Sequence, residues 1–427
     1  MKIPHRSFER LGMLAILTGA VTLSAGDWPQ WRGPARTGHA GVSTDSPLAL
    51  PKDVQPKWRL TVGGGFSSPV VADGRLFFLD DQNGREVAHA IDAATGKEIW
   101  RVDYAETFKD EWGVGPRSTP LIDGDRLFVQ ACNGEFRCLS VKDGSVLWQA
   151  SFEKDFAVKF LGSKANEGTA TRRGNNGSGV IDGDRIILPV GNTEGASLVC
   201  FDKTNGKVLW KSGNDEAAYS SLMVGTLAGV KQVVAFTAEA LLGADLESGK
   251  ILWRVPLKTN AKRHAASPLI VGDRVLVNSH TVGLLCFEIK KSADGFVAEP
   301  AWENKDLKIN LATPVLVGGH LYCQGANQDY VCVDLKSGAL KWAQIGFGSG
   351  KKDYSSTIAA GDRLLVLAED GQLVLLKPDP TRYSELGRIQ VCGNTWSHPA
   401  LANGRLYVRD GRQLFCIDLE PSPGTGL

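Results

Sequence analysis

The sequence predicts an all-β chain closed into an eight-bladed β-propeller of four-stranded antiparallel blades, with an N-terminal strand completing the last blade. Three observations carry that prediction. A turn-plus-tryptophan unit recurs about every 40 to 60 residues, as Gly96…Trp100, Gly144…Trp148, Gly206…Trp210, Gly249…Trp253 and Gly338…Trp342, with the glycine always four before the indole. A strand–turn–strand opening recurs eight times, first as 69–78 and then as 120–128, 179–187, 222–234, 268–277, 314–322, 357–366 and 399–408. The chain ends complement one another, because the eighth copy stops at its third strand, 414–419, while 57–62 reads as a fourth strand with nothing before it.

Taken in order, residues 1–26 read as an address. Lys2, Arg6 and Arg10 precede an apolar run from Leu11 to Leu23, and Ser24-Ala25-Gly26 offers small residues for cleavage. The run is short of the roughly 20 residues that span a bilayer, and no cysteine follows it to take a lipid. A soluble, exported protein is expected, periplasmic or extracellular and without stable membrane insertion. Residues 27–56 form an N-terminal extension, 57–420 the propeller and 421–427 a tail. The Asp73-Gly74 pair is a two-residue hairpin signal, because both central positions of such a turn adopt positive φ. Closure by 57–62 would leave no sheet open at the seam, so deleting 27–62 should be costly and deleting 27–50 much less so.

Composition narrows the function classes. Forty-eight Lys and Arg against 47 Asp and Glu leave a net charge of +1, which excludes a chain basic throughout and gives no reason to expect a nucleic-acid partner. No window carries a helical period. No loop shows an acidic ladder or a His/Glu cluster with metal spacing, so no metal site is expected. Five of the eight cysteines, Cys138, Cys200, Cys286, Cys332 and Cys416, occupy the same third-strand slot in different blades. Slots related by rotation lie too far apart to be bridged, so these read as small core residues, while Cys323 and Cys332 flank one hairpin and could face each other.

The unit Ala90-x-Asp92-x-x-Thr95-Gly96-x-x-x-Trp100 resembles the tryptophan-docking motif of quinoprotein alcohol dehydrogenases and of the outer-membrane assembly lipoprotein BamB. Looser versions start at Asp202, Asp245 and Asp334. The resemblance covers nearly all of 57–419 and implies that indoles interlock neighbouring blades, with Trp58, Trp100, Trp148 and Trp210 docking in the first half and Trp253, Trp302 and Trp342 in the second. The segments 27–34, 115–120 and 404–409 are also similar to a group of exported PQQ-like (pyrroloquinoline quinone-like) repeat proteins of planctomycete-type bacteria. Two functions follow from the resemblance. One is a BamB-like scaffold for ligand binding or protein interaction; the other is a PQQ-dependent dehydrogenase of alcohols or sugars. The dehydrogenases usually carry an adjacent-cysteine disulfide ring and a calcium site, and no Cys-Cys pair occurs here. The expectation is therefore a non-catalytic monomer without a bound cofactor, partnered by a small polar ligand or an exported envelope component.

The repeat alignment indicates where a ligand would sit. One residue before the opening proline stand seven hydroxyls, from Ser68 and Thr119 round to Ser356, and then His398. Small hydroxyls suit a narrow axis, and His398 breaks the series. Three residues before the proline the ring is varied: Phe66, Arg117, Asn176 and Tyr219, then Ala265, Leu311, Tyr354 and Trp396. Aromatic faces, an amide and a guanidinium at symmetry-related positions suit one asymmetric ligand. Arg117, Asn176, Tyr219, Tyr354, Trp396 and His398 are thus expected to share a cavity, with Arg117 a free donor fork whose loss spares stability. A basic rim is expected from Lys154, Lys159, Lys164, Arg172 and Arg173 in the loop 149–176, and from Lys258, Lys262, Arg263 and His264. Asp215, Glu216, Asp353 and Glu111 sit in mouth loops and are the acids that could pair for catalysis, but spacing assigns no reaction to them.

Overall fold

A computed structural model describes residues 26–41, 49–158, 173–257, 259, 262–348 and 354–419. The leader and the tail fall outside these residues. Eight four-stranded antiparallel sheets are arranged in chain order, seven of them spanning 70–106, 121–151, 180–212, 223–256, 269–304, 315–345 and 355–390, here blades 1 to 7. Blade 8 joins the strands of 400–418 to Trp58–Thr61, which pairs antiparallel with Gln413–Asp418 and sets Trp58 opposite Cys416. The ring is therefore closed by its own N-terminal strand.

Each blade begins with a tight hairpin. At Asp73-Gly74, Ala228-Gly229 and Asn403-Gly404 both turn residues have positive φ, the geometry that matches strand twist. In blades 3 and 5 only the glycine of Gly183-Asp184 and Gly272-Asp273 is positive, so there the glycine leads the turn.

The docking tryptophans work as the motif implies in six cases. Indole N–H groups donate to a carbonyl of the next blade: Trp58 to Ala93, Trp100 to Val141 and Trp148 to Lys203. Trp210 to Leu246, Trp302 to Leu335 and Trp342 to Asp379 complete the set. Trp253 departs from it. Its N–H donates to Gln232 Oε1 in its own blade at 2.7 Å, although its ring packs against Val275 and Phe287 of blade 5. Blade 5 offers a Gly295 hairpin between two ten-residue strands where its neighbours carry the docking turn.

The third-strand cysteines lie directly opposite those indoles, Cys138 across from Trp148 and Cys200 across from Trp210, with a register shift immediately after. A small side chain is required there because the indole covers the slot. All eight cysteines are free and buried. Cys323 pairs with Val331 and Tyr322 with Cys332, so the two thiols are one register step apart and project into different inter-blade cores. They do not face each other.

The N-terminal extension supplies what the repeat pattern could not show. Residues 27–40 cross the axis from blade 1 to blade 7 and plug the channel. Trp28 exchanges two backbone bonds with Val71, the Pro29 carbonyl accepts from Ile122, and His39–Ala40 adds a parallel strand inside Ser355–Ala360. Trp28 is 1% exposed and belongs to the core between blades 7, 8 and 1. The axial hydroxyls form a girdle around this plug, since the Thr119 N–H donates to Ser178 Oγ, Ser178 N–H to Ser221 Oγ, and His398 N–H to Ser68 Oγ, each at 3.0 Å.

Candidate functional site

Because first strands converge on the axis, the residues just before them crowd one mouth. There they line a cavity of about 320 Å³ whose floor is Trp31 of the plug. All eight members of the varied ring reach its wall, including Arg117, Asn176, Tyr219, Tyr354 and Trp396. His398, expected among them, does not. It lies beneath the floor, 3% exposed, with ring centroids 6.0 Å from Trp28 and 5.3 Å from Trp31. Its Nδ1 donates to the Pro399 carbonyl at 2.8 Å, and burial together with Arg32 pushes its pKa down to about 3. An imidazole stands in the hydroxyl series because this sector must cover two indoles.

One wall is aromatic and cationic. Trp396 stacks on Phe66 at 5.6 Å and packs on Trp112 at 5.7 Å, while its indole N–H donates to Glu369 Oε1. Trp112 is brought there by a two-stranded ribbon, Lys109–Asp110 with Gly113–Val114. The same ribbon buries Asp110, which takes both arms of the Arg117 fork at 2.9 and 2.5 Å. Burial opposes the Asp110 carboxylate, but the Arg117 hydrogen bonds outweigh it and hold its pKa below the usual range. Arg117, expected as a free fork, is therefore a paired structural ion that shows the cavity only a face, lying over Phe66 and Phe108. Arg173 lies over Trp112 at 5.1 Å and bonds Glu111 at 2.7 Å.

The opposite wall is less charged. Tyr354 donates or accepts with Ser356 Oγ at 2.9 Å, and burial pushes its hydroxyl up to about 12. Asn176 and Asn310 each leave a buried amide oxygen without a partner among the described residues. Trp31 and Trp112 were missed by the alignment because they belong to no repeat position, and Asn310 because it stands one residue before Leu311, outside the two slots compared; the signal available for the plug was the compact Trp28-Pro29-Gln30-Trp31-Arg32-Gly33 run.

The basic rim is largely neutralised where it is described. Lys262 pairs with Glu216 and Glu239. His264 is fully buried, stacked on Phe236 at 3.9 Å, and desolvation lowers its pKa to about 4, so it carries no charge at neutral pH. Lys154 is exposed, whereas Lys159, Lys164, Arg172 and Lys258 lie outside the described residues. Of the acids, Asp215 pairs with Arg254 and accepts from Thr237, Glu216 binds Lys262 and Glu111 binds Arg173, while Asp353 lies outside the described residues. These three carboxylates serve ion pairs and are not poised against one another as acid and base.

Fold and mouth together define a plugged eight-bladed propeller with tryptophan-docked blades. The sequence profile of the family described as outer membrane protein assembly factor BamB matches residues 43–188 and 85–344, and the chain belongs to that family. It is 24% identical over 384 residues to BamB of Shewanella oneidensis, covering 82% of this chain and 85% of that protein. It is also 24% identical to BamB of Escherichia coli over 74% of this chain and 86% of that one. Among solved structures, BamB from Moraxella catarrhalis aligns with a TM-score of 0.54 at 13% identity, over 86% of this chain and 98% of that one. A quinohemoprotein alcohol dehydrogenase, ADHIIG from Pseudomonas putida HK5, aligns at 0.60 with 10% identity, over 94% and 82%. At such identities the structures share the fold.

Proposed function

We propose that this chain is an exported scaffold that binds envelope proteins, as the name of its BamB relatives implies for them. The observation that carries the reading is the outer rim. Ile99, Val146, Leu147, Val208 and Leu209 lie on the outermost strands of three successive blades and are between 39% and 51% exposed. Apolar residues on unpaired sheet edges are templates for an incoming strand. No helix among the described residues is long and apolar enough to cross a membrane, and the basic and apolar leader supports export. We take the scaffold to act as a monomer.

The alternative, a quinoprotein dehydrogenase, would need a quinone with a hard cation held by oxygen ligands, among them carboxylates. The cavity wall has arginines, amides and aromatic rings but no Asp or Glu among its described lining residues. This donor set suits an anion and leaves a calcium–quinone pair without a carboxylate at the wall, so no catalytic step is derived through that group.

The test is to dilute a urea-unfolded outer-membrane β-barrel polypeptide, labelled with a fluorophore, into the protein and follow anisotropy. Saturable binding, weakened by about 1–3 kcal/mol in Leu147→Lys and Leu209→Lys, is expected. Absence of binding together with dye-linked alcohol oxidation after loading with PQQ and calcium would replace this reading by the alternative.

A further inference from the structure

The plug seals two guanidinium ions inside the axis. Arg32 and Arg36 are 3% and 4% exposed. Arg32 donates to the carbonyls of Thr313 at 2.6 Å, Pro314 at 2.8 Å and Thr37 at 3.0 Å; Arg36 donates to Gln30 Oε1 at 3.1 Å and the Ser178 carbonyl at 3.4 Å. Neither forms an ion pair with a carboxylate of the described residues. Burial lowers both, to about 10 and about 9, with Arg32 further lowering Arg36, so both remain cations at neutral pH. Buried charges are ordinarily paired, and in a low-dielectric axis their field is weakly screened. Neither side chain lines the cavity; both lie behind it, where Arg32 follows the floor residue Trp31 in the chain and Arg36 donates to the carbonyl of the lining residue Ser178.

The wall adds a third guanidinium, that of the lining residue Arg173. Arg173 Nη1 is buried, lies 3.8 Å from Asp110, beyond hydrogen-bond reach, and has no hydrogen-bond partner among the described residues. Acceptors are also left over among the described residues, at Asn176 Oδ1 and Asn310 Oδ1. Buried polar atoms without partners are uncommon in native proteins and call for an explanation. A ligand that satisfies all of them must be anionic, must carry its own hydrogen-bond donors and must present an apolar face to Trp31 and Trp396.

We propose that the mouth cavity binds an acidic sugar, a uronate residue whose carboxylate meets Arg173 over the buried Arg32 and Arg36, whose hydroxyls donate to Asn176 and Asn310, and whose C–H face rests on an indole. Inorganic phosphate lacks the apolar face, and a fatty carboxylate lacks the donors. A volume of about 320 Å³ suits one or two sugar rings, at the small end of ligand cavities. The site stands apart from the strand edges of the interaction reading, so either can fail alone.

The test is calorimetric titration of the full mature chain with glucuronate, with glucose as its neutral counterpart, and with triglutamate and PQQ as rival anions. Glucuronate should bind, glucose at least about tenfold more weakly, and added salt should weaken the first more than the second. Arg173→Gln and Asn310→Ala should each lower glucuronate affinity about tenfold. Asn310→Ala removes an oxygen without a partner among the described residues, so it keeps the test valid should Arg173→Gln fail to fold. Equal binding of glucose and glucuronate, binding of neither, unchanged affinity in Asn310→Ala, or binding of triglutamate or PQQ where glucuronate does not compete would each overturn the proposal.

Discussion

The docking glycines show how one atom carries blade spacing. A Cβ on Gly249 would fall 2.5 Å from Trp210 Cε3, and its φ is +73°; on Gly229, at φ +79°, it would meet nothing within 4 Å. Gly229→Ala should therefore cost only the left-handed backbone term, about 1–2 kcal/mol, whereas Gly249→Ala adds overpacking against the indole for a total of about 2–5 kcal/mol. Urea denaturation of the two variants checks this, and equal losses would mean that the indole does not constrain the turn. A second residue behaves unlike its first reading. Arg117→Ala leaves Asp110 buried without its fork and should cost about 3–5 kcal/mol. The Asp110 carboxyl is depressed when folded, so its contribution is present above the ordinary aspartate value of 3.8 and lost as pH falls through the folded value. The gap between variant and wild type should accordingly narrow in melts taken below about pH 4.

At the scale of elements, the plug gives residues 27–50 a structural role beside the expectation that their deletion costs much less than deletion of 27–62. It spans the channel, buries Trp28 and supplies the cavity floor. Trp28→Ala should cost about 3–5 kcal/mol, the range for a buried tryptophan, read by thermal unfolding. Truncation through residue 41 should be more destabilising than Trp28→Ala, because it also removes the Val71 and Ile122 backbone bonds and the parallel strand at His39–Ala40. A truncated protein that melts like the full mature chain would show that the plug is only laid against the axis. The repeat alignment could not reveal it, since a segment present once has no aligned copy, and its long-range side-chain hydrogen bonds reach partners 142 to 282 residues away.

Across the whole molecule, buried titratable groups set the acid response. Burial lowers His398 to about 3 and His264 to about 4 from 6.5, and His39 and His280 move in the same direction. Their depressed values mean that stability is whole above 6.5 and is lost on acidification. Glu86 acts oppositely. Burial raises it from 4.5 to about 7 against the hydrogen bonds donated by Tyr104 and the Phe108 N–H, so its contribution is whole below 4.5 and lost as pH rises through 7. His398, His264 and Glu86 each contribute about 1.4 kcal/mol per pH unit across their shifts, so the two histidines outweigh the one glutamate. Stability should fall as pH drops from 6.5 to 4.5, and Glu86→Gln should steepen that fall. Denaturant midpoints across this window decide it; an unchanged slope in the variant would remove Glu86 from the account.

Repetition determined what was legible in the sequence. Eight hairpin openings, the glycine–tryptophan spacing and the orphan strand at 57–62 specify blades, their number and their closure, because local turn chemistry and strand alternation are written in adjacent residues. The mouth was legible for the same reason: equivalent positions of a closed ring must converge on one axis, so aligning the blades brought Arg117, Asn176, Tyr219, Tyr354 and Trp396 together. Tertiary structure alone decided the rest. It put His398 under two indoles, spent the Arg117 fork on Asp110, turned Trp253 to its own blade, separated Cys323 from Cys332 and threaded Arg32 and Arg36 through the axis. Each of these depends on which partner a side chain meets across the ring, and long-range contacts of that kind leave no period in the chain.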